Sequence, residues 1–180
     1  DPLLICISSN DDTLNISIVN DNNNIKQSVL LIELIGFNGE LLNKHELSID
    51  ILPNTSEKVF SCSISSFLQN HSKKTSLIKS SIRLENKVFC TNEFFFVKPK
   101  ELELPKQDYV VNVKKVNNSF IINIVSSTFL YRFYMLCSND TGVFSDNYFN
   151  MLPGQKNNII FIPSDEYINN QNFKLDFTFN

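Results

Sequence analysis

Short apolar runs with a two-residue period, set between clusters of turn formers, constrain this chain more than any other feature. Thr13 to Val19 places Leu14, Ile16 and Ile18 on one side and Asn15 and Ser17 on the other. Successive side chains of a strand point to opposite faces, so this alternation predicts a strand with one face buried. Leu3 to Ser8 does the same with Leu3, Ile5 and Ile7, and Leu47 to Leu52 alternates again. Asp21 to Asn24 and Pro53-Asn54 lie between such runs. Asn and Asp tolerate left-handed backbone and hydrogen-bond their own main chain, so these are turns. Ser28 to Phe37 is nearly all apolar, and a helix and a central strand compete there. Its β-branched content and the stop at Gly36 to Gly39 favour the strand, with Phe37-Asn38-Gly39-Glu40 as a hairpin turn.

The pattern continues through Ser56 to Ile64, Leu77 to Leu84 and Val88 to Val97, with a turn at Glu85-Asn86. Ser65 to Ser76 is polar, and Ser66-Phe67-Leu68 leaves room for a single helical turn. Next comes Lys98-Pro99-Lys100-Glu101-Leu102-Glu103-Leu104-Pro105. Two prolines bracketing charged residues remove donors and fix φ, which predicts a stiff extended linker. Beyond it, Asp108 to Val116, Ser119 to Val125, Phe129 to Cys137, Asn158 to Ile162 and Phe173 to Phe179 read as strands, with a turn at Asn117-Asn118 and a loop over Asp165 to Asn172. The expected fold is all-β: two tandem immunoglobulin-like antiparallel β-sandwiches, at 1–98 and 107–180, joined by a linker at 99–106. "Immunoglobulin-like" refers to architecture, since the chain has no Trp and no cysteine on either candidate second strand.

Composition removes several classes of function. Four glycines in 180 residues leave almost no material for phosphate-cradling loops. A net charge of −3 lacks the basic face that phosphate contacts need, so no nucleic-acid partner is expected. No apolar run approaches the ~20 residues of a membrane-spanning helix, and no membrane partner is expected either. The chain opens Asp-Pro-Leu with neither initiator Met nor signal pattern, which reads as a piece of a longer protein. Cys6, Cys62, Cys90 and Cys137 fit no metal or redox spacing and read as small buried hydrophobes. His45 and His71 stand apart from them, so neither a metal nor a cofactor is expected. Glycosidase chemistry needs two carboxyl groups at a set separation, one of raised pKa. The acids at 33, 40, 46, 57, 85, 93, 101, 103, 146, 165 and 166 fall mostly at turns or strand exteriors, with Glu33 the best placed for partial burial as a hydrogen-bonded structural acid. No catalytic residue is assigned.

One stretch is more specific. Gly142 to Pro163 reads GVFSDNYFNMLPGQKNNIIFIP, combining a polar turn, two aromatics, a Pro-Gly reversal and a strand. Phe144, Ser145, Asp146, Asn147, Tyr148, Phe149, Leu152, Pro153 and Gly154 carry a close resemblance to the final immunoglobulin-like domain of β-mannosidases of glycoside hydrolase family two. In that family the pattern is aromatic-Ser-Asp-Asn-aromatic-Phe followed by Leu-Leu-Pro-Gly-Glu. Asn150, Met151 and Gln155 depart from its usual Asp, Leu and Glu. FFFVKPKELELPK, from Phe94 to Lys106, resembles the junction between the family's last two domains.

The resemblance implies the non-catalytic C-terminal accessory region of a retaining exo-β-mannosidase, whose catalytic glutamates lie on a (β/α)₈ barrel outside this chain. The implied partners are that barrel and the N-terminal domains of the parent, with a manno-oligosaccharide and a second copy of the chain as further candidates. It also favours a lysosomal, periplasmic or secreted setting. Two other readings stand beside it: a carbohydrate-binding module for mannan or manno-oligosaccharides, and an immunoglobulin-like adhesion module of an unrelated surface protein. The motif itself reads as a structural corner. Asp146 and Asn147 bond backbone, Tyr148 or Phe149 fills the core, and Pro153-Gly154 reverses the chain. Exposed aromatics, with Tyr148 and Phe144 the candidates, would instead favour sugar binding.

Overall fold

A computed structural model describes residues 3–23, 26–84, 87–164 and 176–179. The expected turn at Glu85-Asn86, the loop over Asp165 to Asn172, the start of the last strand at Phe173, and the acids at 85, 165 and 166 lie outside these residues. Contacts divide the chain into two units, Asp1–Gly36 with Glu40–Glu103, and Phe37–Gly39 with Leu104–Asn180.

The first unit carries seven strands in two sheets. β1 (Leu3–Asn10), β2 (Thr13–Asn20) and β5 (Thr55–Ser63) form one sheet in the order β1-β2-β5. β3 (Lys26–Gly36), β4 (Leu41–Ile51), β6 (Ser76–Leu84) and β7 (Lys87–Phe95) form the other, in the order β4-β3-β6-β7. Every pairing is antiparallel. The alternating residues of the sequence meet between the layers: Leu14, Ile16 and Ile18 of β2 join Leu30, Ile32 and Leu34 of β3 and Ile78 and Ile82 of β6 in one core. The ambiguous apolar run is a strand whose second face is also covered, with Leu31 and Ile35 buried as well. A central strand apolar on both faces loses its alternation, which is why a helix competed for it.

Several expectations need correcting. β4 begins at Leu41, six residues earlier than its alternating segment. The helical turn spans Ile64–Leu68 (α1), capped by Ser63, whose hydroxyl accepts from the Ser66 N–H. Pro99–Glu101 is a single 3-10 turn with proline at its start, so this part of the linker is coiled rather than extended. All four cysteines are free thiols, but none is fully buried and Cys6 is exposed. Glu33 makes no hydrogen bond among the described residues. It is half-buried and lies in register between Lys44 and Lys79, with Lys79 facing Glu93 in turn. Opposite charges directly across a ladder suit one another, so this rung alternates in sign across four strands.

The second unit pairs β8 (Tyr109–Val116), β9 (Ser119–Ser126), β14 (Lys156–Ile162) and β12 (Val143–Phe144) in the order β12-β14-β9-β8. Two short ladders complete it, β10 (Leu130–Phe133) with β13 (Phe149–Met151), and β11 (Met135–Cys137) with β15 (Phe177–Phe179). The single strand expected over Phe129 to Cys137 is thus broken at Tyr134. Ile122, Ile124, Leu130, Phe133, Met135, Met151, Ile159 and Phe161 form the core. Phenylalanines take the place of the missing Trp: Phe161 meets Phe177 edge-to-face at 5.1 Å and Phe144 at 4.7 Å.

Candidate functional site

The motif residues wrap one corner of the second unit, and each has an identifiable job. Phe144 ends β12, half-buried against Phe161 and Phe177. Ser145 extends that ladder by one step: its N–H donates to the Ile160 carbonyl at 2.8 Å, and its Oγ accepts from the Ile160 N–H at 3.0 Å. The Asp146 carboxylate accepts the next N–H, that of Asn147, at 2.8 Å.

Asn147 does the most. Its Oδ1 accepts from the Met135 N–H at 2.8 Å and its Nδ2 donates to the Met135 carbonyl at 2.9 Å. A side-chain amide has the donor and acceptor of a peptide group, so Asn147 stands in for a strand residue opposite Met135. The substitution keeps register. Phe133 faces Phe149 across β10 and β13, and the same count sets Tyr134 opposite Tyr148 and Met135 opposite Asn147. Tyr148, whose N–H also reaches Asn147 Oδ1 at 3.1 Å, sits at φ 61. A left-handed conformation costs a bulky L-residue about 1 kcal/mol or more, so the clamp holds this residue where local preference would not.

The reversal is equally specified. Gly154 has φ +79, and its N–H donates to the Ser126 carbonyl at 2.8 Å. The Gln155 N–H closes on the Leu152 carbonyl at 3.1 Å, while Gln155 Oε1 accepts from the Leu152 N–H at 2.9 Å. An amide oxygen therefore suffices at the position where the family pattern has glutamate. Pro153 is half-buried at the turn.

Of the two aromatics offered for the core, Phe149 takes that place and Tyr148 does not. Phe149 is half-buried with its ring 5.9 Å from Phe133. Tyr148 is 63% exposed and stacks on the half-buried Tyr134, with centroids 5.5 Å apart and planes 15° from parallel. Phe144, the other candidate for a sugar-facing aromatic, packs inward.

Asp140 escaped the sequence reading, and Gly142 was read only as the start of the stretch. Asp140 Oδ1 accepts from the N–H groups of Gly142 at 2.7 Å and Ser164 at 2.9 Å, and Oδ2 accepts from the Ser164 hydroxyl at 2.8 Å. It thereby ties the two ends of the motif together. Gly142 is required by space: a Cβ there would collide with the Ile162 carbonyl oxygen and the Phe161 ring. The spacing Asp-X-Gly was the available signal for a side chain bonding two residues on.

In the first unit, Asp12 is held below its ordinary range by hydrogen bonds from the hydroxyls of Ser63 and Ser65 with help from the Ser65 N–H. Burial raises the thiols of Cys62, Cys90 and Cys137, disfavouring the thiolate that a nucleophile needs. Among the described residues no three of His, Cys, Asp and Glu gather as a metal set would. His45 packs beside the rings of Phe60 and Phe67, at 5.5 and 5.4 Å, and those two rings also meet each other edge-on at 6.5 Å. One surface is unusually apolar: Val143, Ile160 and Ile162 are 68%, 45% and 57% exposed. Val143 pairs with Ile162, and Ile159 and Phe161 point into the core, so these three aliphatics share the outer face of one sheet.

Geometry and architecture define a tandem of immunoglobulin-like sandwiches, with no (β/α)₈ barrel among the described residues. Residues 12–101 match the mannosidase Ig/CBM-like domain, and residues 103–180 match an Ig-fold domain of the same mannosidase group. The chain belongs to this mannosidase domain family. No curated protein matches it significantly by sequence. Among solved structures it is similar to a β-D-mannosidase from Dictyoglomus thermophilum, at 23% identity and TM-score 0.71, over 98% of this chain and 21% of that one. It is also similar to the exo-chitosanase of Amycolatopsis orientalis, at 10% identity and TM-score 0.63, over 99% of this chain and 25% of that one. These likenesses show a shared fold. The chain spans between a fifth and a quarter of the length of either relative.

Proposed function

We propose that this chain is the C-terminal accessory region of an exo-acting β-mannosidase, a pair of sandwiches that packs against and supports a catalytic barrel carried elsewhere in the parent polypeptide. The parent would remove terminal non-reducing β-D-mannose with retention. The observation that carries the support role is the outer face bearing Val143, Ile160 and Ile162. Contiguous exposed aliphatics on a small domain mark a surface that another protein surface covers. The motif at Phe144 to Gly154 serves as a structural corner in this reading, since its polar side chains are spent on backbone.

Within the region, we take residues 1–98 and 107–180 as the sandwiches and 99–106 as their connection. The contact division at Glu103 and Leu104, and the two family matches meeting near Leu102, support that placement. Membership of a mannosidase domain family removes the ground for an unrelated adhesion module.

The test is hydrolysis of p-nitrophenyl β-D-mannoside by the purified 180-residue chain and by the longer polypeptide that contains it. Turnover is expected only from the latter. Turnover by the 180-residue chain, abolished on mutating one of its own acids, would overturn the proposal.

A further inference from the structure

The exposed tyrosine pair is not explained by a supporting role. A ring as large as that of Tyr148 is ordinarily buried, and this one is 63% in solvent. It is also held in place. Asn147 clamps Met135 on one side, Phe149 lies opposite Phe133 on the other, and Tyr148 is fixed between them at φ 61. Tyr134 backs it at 5.5 Å and nearly parallel, which leaves the far face of the Tyr148 ring as a rigid apolar plate. Strained residues persist where the surroundings over-determine them, and they collect at ligand sites.

Neither phenol hydroxyl makes a hydrogen bond among the described residues. Asp146, two residues before Tyr148 in sequence, is exposed and spends one oxygen on the Asn147 N–H. Arg132, two residues before Tyr134, is exposed as well, with its guanidinium over the Tyr131 ring at 5.2 Å. A pyranose has the complementary form: a face of C–H groups, polarised positive, and a rim of hydroxyls. Aromatic faces are negative and attract such C–H groups, while carboxylate, guanidinium and phenol suit the rim.

We infer that Tyr134 and Tyr148 form a sugar-binding platform for a neutral β-linked manno-oligosaccharide. The choice of mannose rests on the mannosidase reading, whereas the platform rests on the geometry alone. A rigid plate loses little entropy on binding, which favours a weak but specific site that keeps substrate near its parent enzyme.

Titration calorimetry of the 180-residue chain with β-1,4-mannohexaose tests this, with cellohexaose and xylohexaose as comparisons. The unsubstituted chain is expected to bind mannohexaose with Kd of about 1 mM or tighter. Tyr148→Phe should retain binding, and Tyr148→Ala and Tyr134→Ala should each weaken it about tenfold. Tyr148→Gly removes the ring while relieving the left-handed backbone, so it reports on binding even if the alanine variant fails to fold. No heat with any of the three sugars, or binding indifferent to loss of the Tyr148 ring, overturns the platform and leaves the support role standing. Ring-dependent binding that prefers cellohexaose or xylohexaose overturns the mannoside assignment and counts against the mannosidase reading with it. Ring loss that lowers only the stability of the longer polypeptide, with sugar binding intact, shows a docking plate for protein and also overturns the inference.

Discussion

Asn147 shows how one side chain can complete a sheet. Its amide makes both bonds that a peptide group would make to Met135, and it does so at the gap between β10 and β11. Removing it leaves the Met135 N–H and carbonyl without those partners. With a net value of about 1 kcal/mol per bond and a further cost for unpaired groups, Asn147→Ala should destabilise the chain by roughly 2–3 kcal/mol in urea unfolding. Asn147→Asp keeps the size and one acceptor but turns an oxygen toward the Met135 carbonyl, so it should lose at least as much. Equal stability of Asn147→Asp and the parent chain would remove the clamp from the account. An Asp-Asn pair in a turn was legible as backbone-bonding chemistry. That the backbone served lies twelve residues away was not, because propensity speaks only about near neighbours. The same blindness left Tyr148 and Phe149 as alternatives for the core: alternation puts one inward and one outward, and the register with Phe133 and Tyr134 decides which.

At the scale of elements, local pattern foretold most strands and long-range bonds decided the exceptions. β2 was legible because its outer face meets solvent and its inner face the core. β3 was ambiguous because both faces are buried. The break of the β10–β11 segment depends on the Arg132 N–H bonding Asn150 Oδ1 at 2.7 Å and on the Asn147 clamp, partners a dozen or more residues distant. The start of α1 is another such case. Asp12, at the β1–β2 turn, accepts from Ser63 and Ser65 more than fifty residues on and holds the entry of the helix. Its folded-state pKa is depressed, so its contribution to stability is complete above the unfolded value and is lost as pH falls through the folded one. Thermal melts of the chain and of Asp12→Asn should therefore differ most at neutral pH. The gap should close as pH falls below the ordinary carboxylate range of about 4. A gap that stays constant over that range would show that charge at Asp12 has no part in holding the helix.

For the whole molecule, the sequence was informative because sandwiches are built from repeated short strands and because one corner carries a family-specific motif. The apolar outer face of Val143, Ile160 and Ile162 was not legible in the sequence. Its location needed the register of β12 and β14. The central claim is that these sandwiches support a catalytic barrel without sharing in its chemistry. Thermal unfolding of the longer polypeptide proposed above, with and without residues 1–180, paired with kcat on p-nitrophenyl β-D-mannoside, tests it most directly. The account predicts a lower Tm on deletion, by about 2 °C for about 2 kcal/mol of interface lost from a remainder of several hundred residues, with kcat unchanged wherever the barrel remains folded. An unchanged Tm, or a kcat that collapses in a barrel still folded, would contradict it.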